Sequence, residues 1–238
     1  MTDDILVVGA TSSLGVSLCR KLASAGNNIT LTGRNKEELD KLASDLSIRF
    51  SIRTNIIILD LAANKISCAP FVKKDFDSVY VLAGDMGNED HNDTANIEHV
   101  IKVSFSAPAQ VITAIAEKME KEKRGNIVIV SSVAGDRGRQ SNYLYGGSKA
   151  GLTTFAAGLR NRLCKSNVHV MTVKPGFIDT PMTYGMQSPL IASRDYVASQ
   201  IIKALSKKRN SIYTPFFWRY IMLIIIHIPE RIFKTLEL

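Results

Sequence analysis

The chain has 238 residues, 45% of them hydrophobic, and a formal net charge of +8. This length supports one large hydrophobic core and is too short for two domains of ordinary size. The basic residues are dispersed rather than gathered with aromatic side chains, and no nucleic-acid-binding motif is present. Nucleic acid is therefore excluded as a partner.

Short apolar runs alternate with helical patterns along most of the chain. Strands are predicted at 5–8, 28–32, 56–59, 78–82, 127–131 and 168–173, and helices at 14–25, 36–46, 97–122 and 147–165. The region 62–76 has only a weak helical signal. The alternation predicts an α/β protein with a doubly wound parallel sheet. We expect residues 1–212 to form one catalytic domain, with an apolar helical tail at 213–238 as part of the same unit.

The first predicted strand leads directly into a glycine-rich turn and then a helix. The turn reads GATSSLG over residues 9–15. In this arrangement the free N–H groups of the first helical turn face a pyrophosphate, and glycine lets the backbone approach it. The alternative is an ordinary helix start capped by Thr11, Ser12 or Ser13.

The residues after the second predicted strand indicate which dinucleotide binds. The chain reads Gly33-Arg34-Asn35 there, with no carboxylate to accept the ribose 2′-hydroxyl of NAD. An arginine suits a 2′-phosphate, through a charge-assisted fork or by stacking on adenine. Arg34 therefore predicts NADP, with a solvated loop arginine as the alternative.

Ser132, Tyr145 and Lys149 form a pattern that is typical of carbonyl reduction. Tyr145 and Lys149 are four positions apart, which places both on one face of a helix. A nearby ammonium lowers the pKa of a phenol and makes it a better proton donor. Ser132 follows the predicted strand 127–131 and is expected to present its hydroxyl beside the phenol.

These motifs together resemble the short-chain dehydrogenase/reductase family, from Ile5 to about Thr180. The resemblance implies a Rossmann-type fold, a homo-oligomer and a nicotinamide cofactor. Ser13 stands where the family has its middle glycine, and Ser104 stands where it has an asparagine that supports a proton relay. The implied cofactor-binding residues are Gly9, Thr11, Ser12, Ser13, Leu14, Gly15, Arg34, Asn35, Asp60, Leu61, Ala83, Gly84, Tyr145, Lys149, Pro175, Gly176 and Thr180.

The tail reads YTPFFWRYIMLIIIHIPERIFKTLEL from Tyr213 to Leu238. Its continuous apolar stretch is well short of the ~20 residues that a spanning helix needs. Aromatic and basic residues beside this stretch favour a segment that lies in the headgroup region of a membrane. An oligomer interface and packing on the tail's own domain are the alternatives.

The segment around Ser132 and the tail most resemble one member type of the family, the reductase that acts with decaprenylphosphoryl-ribose 2′-epimerase on a polyprenyl-phosphoryl keto-sugar. This resemblance implies a lipid-linked ketone as substrate, with its phosphate near Arg137 or Arg139. A solvated loop is the alternative for these arginines. A soluble reductase of acyl or other small ketones, with a tail used for assembly, and a non-catalytic nucleotide-binding scaffold are the other functions that remain open.

Histidines and cysteines show no metal-ligand spacing, so we expect no metal site. The residues concerned are Cys19, Cys68, Cys164, His91, His99, His169 and His227. The N-terminus is acidic and enters the first strand at once, which predicts a cytoplasmic protein without a signal peptide. Contact with the inner face of the membrane would be made by the tail.

Overall fold

The computed structural model describes residues 2–88 and 93–236, so His91 and the last two residues of the tail lie outside the described part. Seven parallel strands form one sheet in the order β3-β2-β1-β4-β5-β6-β7. The strands are β1 Asp4–Val8, β2 Asn28–Gly33, β3 Thr54–Ile58, β4 Ser78–Val81, β5 Gly125–Val130, β6 Val168–Pro175 and β7 Ser211–Thr214. The strand order reverses between β1 and β4, where open α/β sheets bind their ligands.

Helices cover both faces of the sheet. They are α1 Ser13–Ser24, α2 Lys36–Phe50, α3 Ala69–Val72, α4 Thr94–Ile101, α5 Ala107–Glu122, α6 Tyr143–Leu163, α7 Arg194–Ser206, α8 Trp218–His227 and α9 Glu230–Phe233. A π-helical turn, Lys102–Ser106, joins α4 to α5. Alternate residues of the central strands point to opposite faces, so the sheet is buried in two apolar clusters, one on each side.

The predicted doubly wound sheet is confirmed, with differences in its last third. The prediction missed β7 and α7, because β7 has only four residues and a largely polar, partly exposed pattern. The predicted domain limit at 212/213 falls inside β7. Helix α6 begins at Tyr143 rather than at residue 147, so Tyr145 lies in its first turn.

One described helix, residues 94–122, is long and apolar enough to cross a membrane by length and composition alone. Its apolar side chains Val111, Ile112 and Ala116 are fully buried against the sheet. This packing accounts for its composition as that of a core helix.

The tail packs on its own chain through one face and leaves the other face exposed. Trp218 and Met222 are buried at 3% and 1% exposure in an apolar cluster that includes Val133. Tyr220 and Leu223, on the opposite face of α8, are 61% and 54% exposed. The inner face of α8, with Trp218 and Met222, therefore packs on the tail's own domain, as one of the alternatives predicted. The outer face, with Tyr220 and Leu223, has no partner within the described chain.

Candidate active site

The glycine-rich turn is a tight connection between β1 and α1. Ser12 caps α1: its Oγ accepts a hydrogen bond from the Gly15 N–H at 3.1 Å and donates one to the Gly9 carbonyl at 2.8 Å. Gly9 has φ of +83°, a conformation that favours glycine. A Cβ on Gly15 would lie 2.3 Å from the Gly9 carbonyl oxygen. The turn therefore needs both glycines, and the predicted serine cap forms within it.

A cleft of about 450 Å³ opens at the carboxyl ends of β1 to β4. It collects most of the predicted cofactor residues from four separate loops. These are Gly9, Thr11, Ser12, Arg34, Asn35, Asp60, Leu61, Ala83 and Gly84. The sequence placed them after successive strands, and the sheet order brings them to one edge.

Arg34 is exposed at the rim of this cleft, beside the N-terminus of α2. Asn35 caps α2 by accepting hydrogen bonds from the N–H groups of Glu37 and Glu38 at 3.0 and 3.3 Å. The Glu38 side chain also lines the cleft and accepts a hydrogen bond from Asn35 Nδ2 at 3.2 Å. Arg34 is therefore available for an anion, and Glu38 is an acidic neighbour that the prediction did not include.

The cleft fits a dinucleotide. A Cβ on Gly84 would lie 2.8 Å from Lys149 Nζ, so a side chain there would displace the lysine. Gly9 and Gly84 line the cleft on the two sides of the switch point, and the first turn of α1 supplies free N–H groups beside Gly9. Asp60, one of the implied cofactor-binding residues, accepts a hydrogen bond from the Ala62 N–H at 2.9 Å through Oδ1, and its second oxygen has no hydrogen-bond partner among the described residues.

A second cavity, of about 530 Å³, adjoins this cleft and shares Ser12, Leu82, Ala83 and Gly84 with it. It contains three of the four predicted catalytic residues, Ser132, Tyr145 and Lys149, but not Ser104. Its lining also includes Ser13, Leu14, Pro175, Gly176 and Thr180. The predicted cofactor site and the predicted catalytic site are therefore continuous.

Ser132, Tyr145 and Lys149 meet in this second cavity. Ser132 follows β5, and its hydroxyl lies near enough to the Tyr145 phenol to lower the phenol's pKa. The same hydroxyl accepts a hydrogen bond from the Ala134 N–H at 3.1 Å. Lys149 Nζ donates to the carbonyl oxygens of Ala83 at 2.6 Å and Val130 at 3.2 Å. It lies 5.5 Å from the centroid of the Tyr145 ring. The lysine thus ties the ends of β4 and β5 to the helix that carries the tyrosine.

The pKa values of Tyr145 and Lys149 differ from the expectation that Lys149 lowers the pKa of the phenol. Burial raises the pKa of Tyr145 to about 12, the Ser132 hydrogen bond acts in the opposite direction, and the Asp85 charge raises it further. Burial lowers the pKa of Lys149 to about 7. Desolvation, which disfavours the charged form of each group, is the largest cause of both shifts, and Lys149 is not among the causes of the Tyr145 shift.

Ser104 acts on the segment after Gly84 and does not contact Lys149 directly. It is fully buried in the π-helical turn, and its Oγ both donates to the Asp85 carbonyl and accepts from the Asp85 N–H, each at 2.9 Å. The Asp85 carboxylate accepts from the Gly87 N–H and lies 3.1 Å from His99 Nε2. Ser104 and Lys149 therefore hold the same loop at neighbouring residues.

The two arginines expected near a substrate phosphate have different positions. Arg137 points away from the cavity: its Nη1 donates to the carbonyl oxygens of Ile225 and Ile228, both at 2.6 Å. The tail therefore engages the terminal nitrogens with which Arg137 was expected to bind a substrate phosphate. Arg139 lines the cavity, donates from Nη2 to Met222 Sδ at 3.6 Å, and has no hydrogen-bond partner for its buried Nε among the described residues.

The sequence did not predict a buried ion pair between Asp136, in the loop after Ser132, and Lys174 of β6. The Asp136 carboxylate accepts from Lys174 Nζ at 2.5 Å and from the Tyr213 hydroxyl at 2.8 Å, and Asp136 is only 8% exposed. Burial and this hydrogen bond raise the pKa of Tyr213. No local pattern joins three residues so far apart in the chain, so only the fold reveals the contact.

Comparisons with known proteins identify the family. The family model for short chain dehydrogenases matches residues 3–189. An uncharacterised oxidoreductase of Mycobacterium tuberculosis is 29% identical over 98% of this chain and 96% of its own. A 3-oxoacyl-(acyl-carrier-protein) reductase of Aquifex aeolicus is 30% identical over 75% of both chains.

Solved structures share the fold. A short-chain dehydrogenase from Sphingobium yanoikuyae in complex with NADPH has a TM-score of 0.83 at 21% identity, covering 96% of this chain and 97% of that one. A bulky-bulky ketone specific alcohol dehydrogenase from Comamonas testosteroni has a TM-score of 0.81 at 20% identity, covering 96% and 95%.

A nucleotide cleft that adjoins a Ser-Tyr-Lys cavity at the edge of a doubly wound sheet defines a dehydrogenase or reductase of the Rossmann type. The chain belongs to the short-chain dehydrogenase family. It is an oxidoreductase of that family.

Proposed function

We propose that this protein is an NADPH-dependent ketoreductase that converts a bulky, amphiphilic ketone to an alcohol. The observation that carries the proposal is that Ser132, Tyr145 and the buried Lys149 meet in one cavity, which is continuous with the nucleotide cleft. A bound NADPH would supply the hydride that reduces the carbonyl carbon.

The three side chains then have separate roles. Ser132 donates a hydrogen bond to the carbonyl oxygen and orients it. Tyr145 delivers a proton to that oxygen, and its raised pKa keeps it protonated at neutral pH. Lys149, with a pKa of about 7, exchanges protons near neutral pH and holds the loop at Ala83 in place. Ser104 supports this loop from its other side.

The preference for NADPH rests on Arg34. Its exposed guanidinium at the rim of the cleft suits a 2′-phosphate, and the N-terminus of α2 next to it favours an anion. The Sphingobium relative, which shares the fold, was solved with NADPH. Thr180, Pro175 and Gly176 line the adjoining cavity and are proposed to contact the nicotinamide end.

The preference for a bulky, amphiphilic ketone rests on the lining of the catalytic cavity. Val133, Phe177, Ile178, Met182 and Met186 make much of its wall apolar. Arg139 adds a guanidinium to that wall and suits a phosphate on the substrate. A polyprenyl-phosphoryl keto-sugar combines these features, and the Comamonas relative is specific for bulky ketones.

A lipid-linked ketone would be met at a membrane surface. The outer face of the tail, defined here as Phe216, Tyr220, Leu223 and Ile224, exposes between 54% and 70% of each side chain. Apolar and aromatic side chains on one face of a short helix are typical of a segment that lies in the headgroup region. We propose that this outer face binds the cytoplasmic surface of a membrane.

The second candidate is a reductase of acyl or other small ketones that uses the outer face to form a homo-oligomer. The 30% identity to the Aquifex 3-oxoacyl-(acyl-carrier-protein) reductase favours it. A non-catalytic scaffold is disfavoured, since Ser132, Tyr145 and Lys149 are all present and meet in one cavity.

NADPH oxidation with three ketones separates the candidates. The substrates are a polyprenyl-phosphoryl keto-sugar, an acetoacetyl thioester and a small cyclic ketone, each tested with the parent and with Tyr145→Phe. We expect the highest kcat/KM on the lipid-linked ketone and no turnover by the variant. Preference for the thioester would favour the second candidate, and binding of NADPH without turnover of any ketone would favour the scaffold.

The outer face is tested with a double substitution, Leu223→Ser and Ile224→Ser, in the full chain. We expect the parent to sediment with anionic phospholipid vesicles and the variant to stay in solution, with equal stability. A variant that still sediments contradicts membrane binding through this face. A fall in oligomer size, seen by light scattering without any change in sedimentation, supports the homo-oligomer.

A further inference from the structure

The loop that follows Ser132 lies between the catalytic cavity and the tail. This loop, residues 133–142, ends where α6 begins and so connects Ser132 to the helix that carries Tyr145 and Lys149. Arg139 and Asn142 of the loop line the cavity. Arg137, between them and Ser132, extends in the other direction, toward the tail.

Arg137 binds the end of α8 through both terminal nitrogens. Nη1 donates to the carbonyl oxygens of Ile225 and Ile228 at 2.6 Å, and Nη2 donates to Glu230 Oε2 at 2.9 Å. Carbonyls at a helix C-terminus lack intrahelical donors and favour a nearby cation. The guanidinium carbon also lies over the Phe233 ring, 3.7 Å from its centroid. The Arg137 side chain is 14% exposed, so water screens its contacts with the two carbonyls weakly, whereas Glu230 is 77% exposed and its ion pair is screened.

The inner face of α8 packs against two loops that line the catalytic cavity, the loop after β6 and the loop after Ser132. A Cβ on Gly176 would lie 1.9 Å from Trp218 Nε1, so the indole rests directly on the loop after β6. Met222 contacts Arg139 and shares a buried cluster with Val133. The described tail residues do not line the cavity themselves. The tail therefore supports its walls without contacting the substrate.

We propose that Arg137 is a positioning residue: by holding the end of α8 against the loop 133–142, it fixes the wall of the ketone site. The inference rests on the proposed function and deepens it. It also gives Arg137 a role different from binding a substrate phosphate, because its terminal nitrogens are occupied by the tail. Loss of the contact should loosen the loop, while Ser132, after the end of β5, and Tyr145, on α6, keep their positions.

The test compares Arg137→Ala, Arg137→Lys and the matched control Arg231→Ala, an exposed arginine of α9, in the full chain without lipid. Kinetics are measured with NADPH and two bulky ketones, one neutral and one phosphorylated. For Arg137→Ala we expect the KM of both ketones to rise at least tenfold, kcat to change less than threefold, and NADPH affinity to stay within twofold. Arg137→Lys should be intermediate, since an ammonium reaches the carbonyls but cannot cover the Phe233 ring. The control should match the parent.

Parent-like KM values in Arg137→Ala would overturn the inference, as would a rise for the phosphorylated ketone alone, which indicates substrate contact. If Arg137→Ala fails to bind NADPH because it misfolds, Arg137→Lys is the deciding variant. A rise in KM of at least threefold for both ketones is expected, and an unchanged KM contradicts the inference.

Failure of the proposed function is distinguishable, because the parent itself would then reduce neither ketone. In that case, hydrogen exchange decides: faster exchange in residues 133–142 of the lysine variant, but not in residues 9–15, is expected, and equal exchange overturns the inference.

Discussion

The turn at residues 9–15 lines both cavities, and the tail at residues 213–236 packs behind the walls of the second, but different interactions hold the two segments. The turn is maintained locally: Ser12 bonds to Gly9 and Gly15, and both glycines are required by the close backbone contacts. The tail is maintained by distant partners, with Arg137 about ninety positions away from the carbonyls it binds. Contacts between near neighbours in the chain therefore fix the turn of the nucleotide cleft. Contacts between distant segments hold the tail that supports the ketone site.

Because of this difference, substitutions in different regions should have different effects on activity and stability. A change in the catalytic trio should alter chemistry and leave the fold intact. A change on the inner face of the tail should alter stability, whereas a change on the outer face should alter neither chemistry nor stability. The predictions below test this separation.

The largest effect is expected for Tyr145→Phe, which removes the proton donor and keeps the ring. Turnover should fall by about 10²–10⁴-fold, the usual contribution of a positioned general acid. NADPH affinity, measured by fluorescence titration, should be within about threefold of the parent's, because the Arg34 and Gly9 region is untouched. A parallel loss of turnover and NADPH binding would indicate a structural role for the phenol instead.

Lys149→Met should change how stability depends on pH in the cofactor-free protein. The pKa of Lys149 is about 7 in the folded chain, against an ordinary value of 10.5. Between these values the unfolded chain binds a proton that the folded chain does not, so the free energy of unfolding rises with pH across this window. The methionine variant should lack this component, worth on the order of a few kcal/mol. Urea unfolding from pH 7 to 9.5 tests this, and equal slopes in the two proteins would contradict it.

Met222→Ala and Leu223→Ala form a matched pair on opposite faces of α8. Met222 is 1% exposed and Leu223 is 54% exposed. The first substitution leaves a cavity and should lower the free energy of unfolding by about 2–5 kcal/mol. The second should change it by less than ~0.5 kcal/mol. Urea denaturation of both variants in the absence of lipid is the measurement, and similar losses would mean that the two faces of the tail are not distinct.

Among the substitutions expected to cause a loss, Arg34→Ala should produce the smallest change in free energy, and one that is specific to NADPH. Loss of a charge-assisted hydrogen bond to the 2′-phosphate costs about 1.5–3 kcal/mol, which corresponds to roughly a 10- to 150-fold weaker affinity for NADPH. NADH affinity should not change, because NADH has no 2′-phosphate. Titrations with both cofactors test the prediction, and equal losses for the two would assign Arg34 to adenine stacking alone.

Much of the cleft could be predicted from the sequence because its parts are local. Gly9, Arg34, Asp60 and Ala83 each follow a predicted strand, and parallel strands deliver their carboxyl ends to one edge of the sheet. The spacing of Tyr145 and Lys149 predicted that they share a helix face, although the helix begins earlier than expected.

The remaining features depend on contacts between distant segments. The interaction of Arg137 with the tail, the ion pair of Asp136 with Lys174, and the burial that determines the pKa of Tyr145 have no signal in local patterns. The tail has an apolar composition on both faces of α8, so periodicity alone does not distinguish its packed face from its exposed one.

The measurement that tests the central proposal most directly is transfer of deuterium from NADPH. The protein would be incubated with NADPH that carries two deuterium atoms at C4 of the nicotinamide and with a bulky ketone, and the product analysed by mass spectrometry and NMR. We predict an alcohol with one deuterium on the carbinol carbon, formed by the parent and not by Tyr145→Phe. Tight binding of NADPH with no deuterated alcohol from any of the three ketone classes would contradict the assignment as a ketoreductase.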